Sequence, residues 1–376
     1  MNWFKQQLAN VVGTEEPEYG PSAIQPVTKQ AETKPYSILS RDDLRWKAME
    51  HTNVETETFY FFTDDGMTAM AQIIYSNVGG IRTTCQFNSK IFDHEGAGKH
   101  QWCSDPLHNY GFDESQTCFF ADNVSMELNE SGDAYTIKSA RNEDCIISIV
   151  ITRTAPGFQV GNDGTSYFGT NPAEPWGSMR HAFWPRCIVT GTMQTPSKTY
   201  QMKGRGMYVY ALQGMKPHHL ACRWNFVNFQ TPTYSAILME YTTPQSYGKT
   251  VVSVGGIAKD NALVSAGVCE AKHVTSKQET ENDWPEPREV LFEWKDQNGG
   301  KTNVGEISGT LPLKTDRIEV LAHLPGFVKS FIKGATGLKP HIFQYSSNDQ
   351  LTLKVKDGEH EVSEPGRLFC EATFIS

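Results

Sequence analysis

The spacing of strand-like segments is the feature of this 376-residue chain that most restricts its fold. From residue 56 onward, runs such as TETFYFF, MTAMAQIIYS and IRTTCQF follow one another about every 10 to 15 residues. The separators DDG and NVGG supply residues that accept the positive φ of tight turns. Such short intervals leave little room for the crossover helices that parallel strands need. The pattern therefore predicts antiparallel meanders, arranged as a sandwich or as a barrel.

The strand pattern occurs twice along the chain. It runs from residue 56 to about 213, and it begins again after the segment MKPHHLACRW. The length suggests two or three domains, and the aromatic content of 11% favours strands over helical bundles. We predict an N-terminal β domain over residues 40–216 and a C-terminal β domain over 217–376.

Composition excludes several classes of protein. The net charge of −9 and the lack of a basic cluster argue against nucleic-acid binding. No apolar run reaches the roughly 18 residues of a membrane-spanning helix. The eight cysteines show no Cys-x-x-Cys spacing and no signal peptide precedes them, so we expect reduced thiols in the cytosol. Nucleotide-binding, hydrolase and zinc-protease motifs are missing, and we predict no cofactor, no metal site and no catalytic residues.

Two groups of residues stand out near the predicted domain junction. The adjacent His218 and His219 make a poor metal pair, and a hydrogen-bonded hinge explains them more simply than a catalytic role. Aromatic residues are also concentrated there, either as ordinary core or as the wall of an apolar cavity between domains. The candidate lipid-binding residues are Trp176, Phe183, Trp184, His218, His219, Arg223, Trp224 and Phe226.

The first 13 residues, MNWFKQQLANVVG, have the pattern of an amphipathic helix. Asn2, Gln6 and Asn10 form the opposite, polar side, and Trp3 lies off the apolar stripe. Such a segment suits a bilayer interface, although docking on the protein itself is an alternative. Residues 14–39 are rich in Pro, Gly, Glu and Thr and predict a flexible tether. The predicted membrane-binding residues are Met1, Trp3, Phe4, Leu8, Val11 and Val12.

Several longer runs resemble the fungal survival-factor family. They include IIYSNVGGIRTTCQFNSKIF, PWGSMRHAFWPR, GRGMYVYALQGMKPHH and RWNFVNFQTPTYSAILMEYTTPQSYGKT, and the resemblance extends from about residue 40 to the C-terminus. It implies two lipocalin-like β-barrel domains related to bacterial AttH proteins. It also implies ceramide transport between endoplasmic reticulum and Golgi, survival under oxidative stress, and an N-terminal helix that targets membranes. No catalytic residue is implied.

Three hypotheses about function follow. The first is a monomeric ceramide carrier in the cytosol, with a further nuclear location, that contacts Golgi and endoplasmic reticulum membranes reversibly. The second is an enzyme that acts on a lipophilic substrate, by analogy with hydratases of similar fold. The third is a stress-linked interaction protein without a ligand. The resemblance favours the carrier.

Overall fold

Two antiparallel sheets form nearly all the regular structure of the computed structural model, which describes residues 16–92, 100–280, 283–296, 302–312, 314–320, 340–358 and 360–376. Short helices, Pro21–Ala23, Val27–Gln30, Arg41–Leu44, Pro217–Leu220 and Gln245–Tyr247, connect the strands. The first sheet contains β1 (Ile24–Gln25), β2 (Tyr36–Ile38), β3 (Asn53–Thr63), β4 (Thr68–Val78), β5 (Arg82–Ile91), β6 (Gln101–Leu107), β7 (Gly111–Phe112), β8 (Phe119–Ala121), β9 (Val124–Leu128), β10 (Ala134–Asn142), β11 (Cys145–Arg153), β12 (Phe158–Val160), β13 (Thr165–Phe168), β14 (Gly177–Gln194), β15 (Thr199–Gln201) and β16 (Gly204–Gln213). The second sheet contains β17 (Arg223–Gln230), β18 (Tyr234–Thr242), β19 (Val251–Lys259), β20 (Ala262–Gln278), β21 (Pro285–Lys295), β22 (Asn303–Thr310), β23 (Asp316–Glu319), β24 (His341–Asp357) and β25 (His360–Phe374).

The second sheet closes on itself as an eight-stranded barrel. Its strands follow the order β22-β21-β20-β19-β18-β17-β25-β24, and β22 then pairs with β24 to complete the ring. β23 adds to β24 outside the ring. Eight strands enclose an interior that side chains can fill or that can hold one small ligand.

The first sheet curls in the same way but is partly open. Its main path runs β6-β5-β4-β3-β16-β14-β11-β10-β9-β8-β7. Within the described residues no backbone ladder joins β6 to β7; instead, β6 meets the end of β10 through side chains. Asn142 Nδ2 donates to Asp105 Oδ1 at 3.0 Å, and Arg141 Nε donates to Pro106 O at 3.1 Å. The predicted all-β fold with two antiparallel barrel domains is confirmed, and the sandwich alternative is not observed.

Strand alternation explains where the core residues lie. On β3, Phe59 and Phe61 point into the first barrel, whereas Tyr60 and Phe62 point toward the second domain. Both faces of the strand are therefore buried, which is why the run FYFF is apolar without a break. The residues that the structure describes form three apolar cores: one inside each barrel and one at the interface between them.

Residues 16–39 are packed against both domains. Ile24, Val27 and Ala31 are buried in the interface core. Ile24 lies on β1, which pairs with β13. The backbone N–H groups of Tyr19 and Gly20 donate to Ser246 O. The predicted flexible tether over residues 14–39 is thus wrong for residues 16–39, because a few spaced apolar residues are buried despite the polar composition. The predicted helix over residues 1–13 lies outside the described residues.

The connection between the sheets lies where the sequence pattern changes. The first sheet ends at Gln213 and the second begins at Arg223, and the predicted boundary at 216/217 falls between them. All eight cysteines are free thiols, and six of them are buried. None of the helices within the described ranges has the length and apolar character needed to cross a bilayer.

Candidate functional site

The eight predicted lipid-binding residues lie in several separate environments. Arg223 lies inside the second barrel, where its guanidinium contacts His273 and the ring of Phe374. Trp184 lies inside the first barrel. The remaining six lie along the interface and the connection between domains: Trp176, Phe183, Trp224 and Phe226 in or against the interface core, and His218 and His219 in the helix Pro217–Leu220. The structure therefore does not bring all eight residues together.

The interface core is tightly packed and contains one buried histidine. The ring of Phe226 stacks on Tyr60 with centroids 4.9 Å apart. His181 lies between Phe183 and Trp224, with ring centroids at 5.9 and 6.0 Å. Burial lowers the pKa of His181 to about 3, so the ring is neutral, and its Nε2 has no hydrogen-bond partner.

His218 and His219 occupy the connection between the barrels. Their ring centroids are 4.4 Å apart, and His219 Nδ1 lies 3.7 Å from Glu16 Oε1. Burial lowers the pKa of His218 to about 4 and that of His219 further, so both rings are neutral. Across the described ranges, no group of three or more His, Cys, Asp or Glu side chains is arranged to hold a metal ion. The pair contributes to the packing of the connection.

Four side chains form a polar cluster inside the first barrel, which we call the first-barrel centre: Glu57 on β3, Tyr135 on β10, Trp184 on β14 and Tyr208 on β16. All four are fully buried. The ring centroid of Tyr135 lies 5.1 Å from that of Trp184 and 5.3 Å from that of Tyr208. Three aromatic rings and one carboxyl group thus share one enclosed space.

The polar atoms of the first-barrel centre interact mainly with one another. The hydroxyls of Tyr135 and Tyr208 interact with the Glu57 carboxyl group, although not in regular hydrogen-bond geometry, and the indole Nε1 of Trp184 has no hydrogen-bond partner. Burial raises the pKa of Glu57 well above its ordinary value, although the two nearby hydroxyls oppose this shift. The carboxyl group is therefore protonated and neutral. Each unsatisfied buried group costs about 1–3 kcal/mol.

A neighbouring acid in the same barrel is fully satisfied. Glu55 accepts hydrogen bonds from the backbone N–H groups of Lys47 and Ala48 at 2.7 and 2.8 Å. The hydroxyl of Tyr210 also donates to it. Glu55 therefore accepts hydrogen bonds of regular geometry from backbone groups, whereas the partners of Glu57 are the two tyrosine hydroxyls.

The second barrel also encloses a polar cluster, the second-barrel centre, formed by Arg223, Asn225, Glu240 and His273. His273 Nδ1 accepts from the Arg223 guanidinium, so His273 Nε2 carries the proton and donates to Asn225 Oδ1 at 2.8 Å. Asn225 Nδ2 donates to Glu240 Oε1 at 2.9 Å, and the N–H of Ala271 donates to the other oxygen at 3.0 Å. This cluster is a nearly complete hydrogen-bond chain in which only Arg223 Nε lacks a partner.

A surface groove of about 420 Å³ lies along one side of the interface. Arg367 donates to Gly66 O and Met67 O at 2.7 Å, which connects β25 to the β3–β4 turn. Arg186 donates to Tyr234 O at 3.0 Å across the same interface. Arg186 is buried and Arg367 is half-buried, and both hold the two domains together through backbone carbonyl groups along the groove.

Sequence reasoning missed most of the two polar centres. The run VETETFYFF did contain a signal, since residues two apart on a strand share a face. Glu55 and Glu57 therefore had to point the same way as Phe59, into a core. Tyr135, Tyr208 and His273 carried no such signal, because only the folded sheets bring them to their partners.

The fold and the two enclosed polar centres define the class of protein to which this chain belongs. It is a two-domain, lipocalin-like β-barrel protein with polar groups enclosed inside the barrels. The profile of the Svf1 family matches residues 1–376, and the chain belongs to this family. A curated relative, the ceramide-binding protein svf1 of Emericella nidulans, is 56% identical over 380 residues and covers 100% of both chains. The predicted resemblance to the fungal survival-factor family is confirmed.

Solved structures show the same fold at low sequence identity. An AttH protein from Nitrosomonas europaea matches with a TM-score of 0.59 and 12% identity, over 90% of this chain and 98% of that one. Kievitone hydratase from Nectria haematococca matches with a TM-score of 0.52 and 10% identity, over 95% and 98% of the two chains. At these identities the likeness concerns the fold alone.

Proposed function

We propose that this chain binds ceramide and carries it between the membranes of the endoplasmic reticulum and the Golgi. The observation that carries the proposal is the full-length match, at 56% identity, to a relative named a ceramide-binding protein. The two barrels are consistent with it, since this architecture can enclose a small lipophilic ligand. Relatives with that name favour binding over catalysis.

The physical requirement on such a carrier is severe. Each CH₂ group that enters water costs about 0.8 kcal/mol, so a free ceramide with two long chains hardly leaves a bilayer. A carrier must offer a comparable apolar volume and a few hydrogen-bonding groups for the amide and hydroxyls. Apolar cores that surround neutral polar groups, as in the first barrel, have this chemistry.

Extraction of labelled ceramide from vesicles tests the proposal. Delipidated protein should remove ceramide from the vesicles into the soluble fraction, and native mass spectrometry should show one ceramide on one chain. Phosphatidylcholine of matched acyl length is the control, since its charged head group should not be extracted. Absence of any ceramide in the soluble fraction would exclude the carrier role.

Reversible membrane contact through residues 1–13 belongs to the same proposal. Phe4→Asp or Leu8→Asp should release the protein from Golgi membranes to the cytosol, because the charge lies on the apolar stripe. Asn10→Asp adds the same charge on the polar side and is the matched control, which should leave membrane association unchanged. Equal association of all three variants with the membrane would contradict this part.

The carrier role also extends to location and physiology. We propose a monomer in the cytosol, with a nuclear pool, whose loss sensitises cells to oxidative stress through altered sphingolipid supply. A deletion strain that tolerates peroxide as well as its parent would contradict the link to stress. Rescue by the wild-type chain but not by Phe4→Asp would connect the phenotype to membrane contact.

A catalytic function is the second candidate. It is favoured by the neutral carboxyl of Glu57 beside two tyrosine hydroxyls, since a positioned acid can protonate a bound substrate. The distinguishing measurement is the mass of ceramide recovered after incubation with the protein. Unchanged ceramide supports the carrier, whereas a mass change of one water molecule would support a hydratase-like enzyme.

A further inference from the structure

We infer that the turn between β4 and β5, with Ile81 at its tip, is a second membrane contact that acts together with residues 1–13. The inference rests on the proposed reversible membrane contact and adds a surface of the folded body to it. The partner of this surface is the interfacial region of a phospholipid bilayer. Two contacts on one molecule fix which end of the first barrel faces the membrane.

The side chain of Ile81 projects from the folded body. It is 86% exposed, which makes it the most exposed large apolar side chain among the residues that the structure describes. The other exposed large apolar residues all lie within strands: Ile38, Phe120, Ile146, Val150, Ile188, Val251 and Val274. Single apolar residues on the face of a strand are common and need no explanation. A residue at the tip of a turn differs from them, because a tip reaches a flat surface before the sheet behind it does.

Hydrogen bonds of the backbone hold this turn in place. The N–H of Gly79 donates to Thr52 Oγ1 at 3.0 Å. The N–H of Gly80 donates to Asn77 Oδ1 at 2.9 Å. Both glycines have positive φ, 66° and 72°, which glycine adopts without strain. Ile81 is therefore presented on an ordered backbone, and its insertion into a bilayer costs little ordering of the loop.

Strand register places the turn at the same end of the first sheet as the start of β14. One row of paired Cα atoms crosses β4, β3, β16 and β14 at Ser76, Val54, Gln213 and Met179. Two residues beyond this row, on the same side of it, lie Val78 at the end of β4 and Gly177 at the start of β14. Neighbouring strands are about 4.8 Å apart, so three spacings separate these two positions by roughly 15 Å.

The N-terminal segment joins the folded body at this same end. Trp176, which precedes β14, donates from Nε1 to Tyr247 Oη at 3.0 Å. Tyr247 Oη in turn donates to Glu16 Oε1 at 2.9 Å, which fixes the first described residue beside the start of β14. A helix over residues 1–13, as the sequence predicts, would be about 20 Å long. Such a helix can lie on a bilayer that Ile81 also touches.

The charged residues beside the tip suit a lipid surface. Arg82 follows Ile81 and is exposed, and Lys47 and Glu50 are exposed in the segment that runs beside the turn. A Cβ atom at Gly80 would lie 2.7 Å from Glu50 O, which shows how closely this segment approaches the turn. Two basic residues and one acidic residue thus surround the tip of a chain whose net charge is −9. Basic residues near a membrane strengthen its attraction for anionic lipids.

Ile81→Asp tests the inference in the full-length protein, with vesicles of phosphatidylcholine and phosphatidylserine as the probe. We expect vesicle affinity to fall about tenfold, because the transfer of one large aliphatic side chain into the interface is lost. The melting temperature should not change, since the side chain is exposed. Ile188→Asp is the matched control, because it makes the same change at an isoleucine that is 53% exposed and pairs with Arg205 toward the opposite end of the sheet. This control should leave vesicle affinity unchanged.

Ile81→Trp separates membrane contact from an effect on folding. It should bind vesicles at least as tightly as the wild type, because an indole ring suits the bilayer interface. Equal affinity of Ile81→Asp and the wild type, with weaker binding by Phe4→Asp, would overturn the inference and leave the contact through residues 1–13 in place. Equal losses for Ile81→Asp and Ile188→Asp, or weaker binding by Ile81→Trp, would also overturn it. If the wild type binds no vesicles, the proposed membrane contact itself fails.

Discussion

The two barrels enclose polar centres that look alike in composition and differ in completeness. Each contains one buried glutamic acid whose pKa is raised by burial, Glu57 in the first barrel and Glu240 in the second. Asn225 and the N–H of Ala271 satisfy Glu240, whereas Glu57 meets the hydroxyls of Tyr135 and Tyr208 without regular hydrogen-bond geometry. A satisfied network stabilises the fold by itself. A network of irregular geometry stabilises the fold less.

The two barrels also differ in how their sheets close. The second barrel is closed by backbone ladders around its whole circumference. The first is joined at its edges by side chains such as Asn142 and Asp105, within the described ranges. The barrel with the complete polar network is thus also the one with the closed sheet. We interpret the second barrel as the more rigid of the two.

The largest expected effect comes from breaking the complete network. Asn225→Leu should lower the free energy of unfolding by about 3 kcal/mol, because Glu240 Oε1 and His273 Nε2 would both be left buried without partners. Tyr135→Phe, the matched change in the first centre, should lower it by about 1 kcal/mol, because the hydroxyl that it removes meets Glu57 without regular hydrogen-bond geometry. Urea unfolding of both variants measures the difference. Equal losses in the two barrels would remove the distinction between the centres.

The second prediction concerns pH and Glu57. Its pKa is raised in the folded protein, so above the ordinary value near 4.5 the folded state holds a proton that the unfolded state has lost. Stability should therefore fall as pH rises through this window, by up to about 1.4 kcal/mol per pH unit. Glu57→Gln should lose this part of the slope and be more stable than the wild type at pH 8. Urea unfolding between pH 5 and pH 8 measures it, and identical slopes would show that Glu57 is ionised.

The smallest expected effect is at the interface. Trp224→Phe should lower the free energy of unfolding by about 0.5 kcal/mol, since Trp224 is only partly buried against the interface core. Urea unfolding measures the change. A loss as large as that of Asn225→Leu would show that the interface depends on this ring as much as the second barrel depends on its polar network.

The fold was accessible from the sequence because strand signals are local. Alternation along segments such as β10, with Tyr135 and Ile137 on one face, depends only on neighbouring residues. The burial of residues 16–39 was not accessible, since Ile24 and Val27 are buried by strands far away in sequence. A polar composition alone therefore gave the wrong result.

The sequence located the polar and aromatic clusters only in part, because their members come from strands that are distant in sequence. Phe183 and Trp184 are adjacent in sequence, so on a strand they face opposite sides, the interface and the first barrel. A search for nearby aromatics placed them in one site. The partners of Trp184 lie on β3, β10 and β16, and only the curled sheet brings those strands together.

The indole N–H signals of two tryptophans test the central claim most directly. Trp184 and Trp294 are both fully buried, one in each barrel. Trp294 Nε1 already donates to Ile237 O at 2.8 Å, whereas Trp184 Nε1 has no partner. In ¹H–¹⁵N spectra assigned with Trp→Phe variants, the Trp294 indole N–H signal should lie downfield of the Trp184 signal and its proton should exchange more slowly, because only Trp294 donates a hydrogen bond. A Trp184 proton that exchanges as slowly as that of Trp294 would contradict the difference between the two barrels.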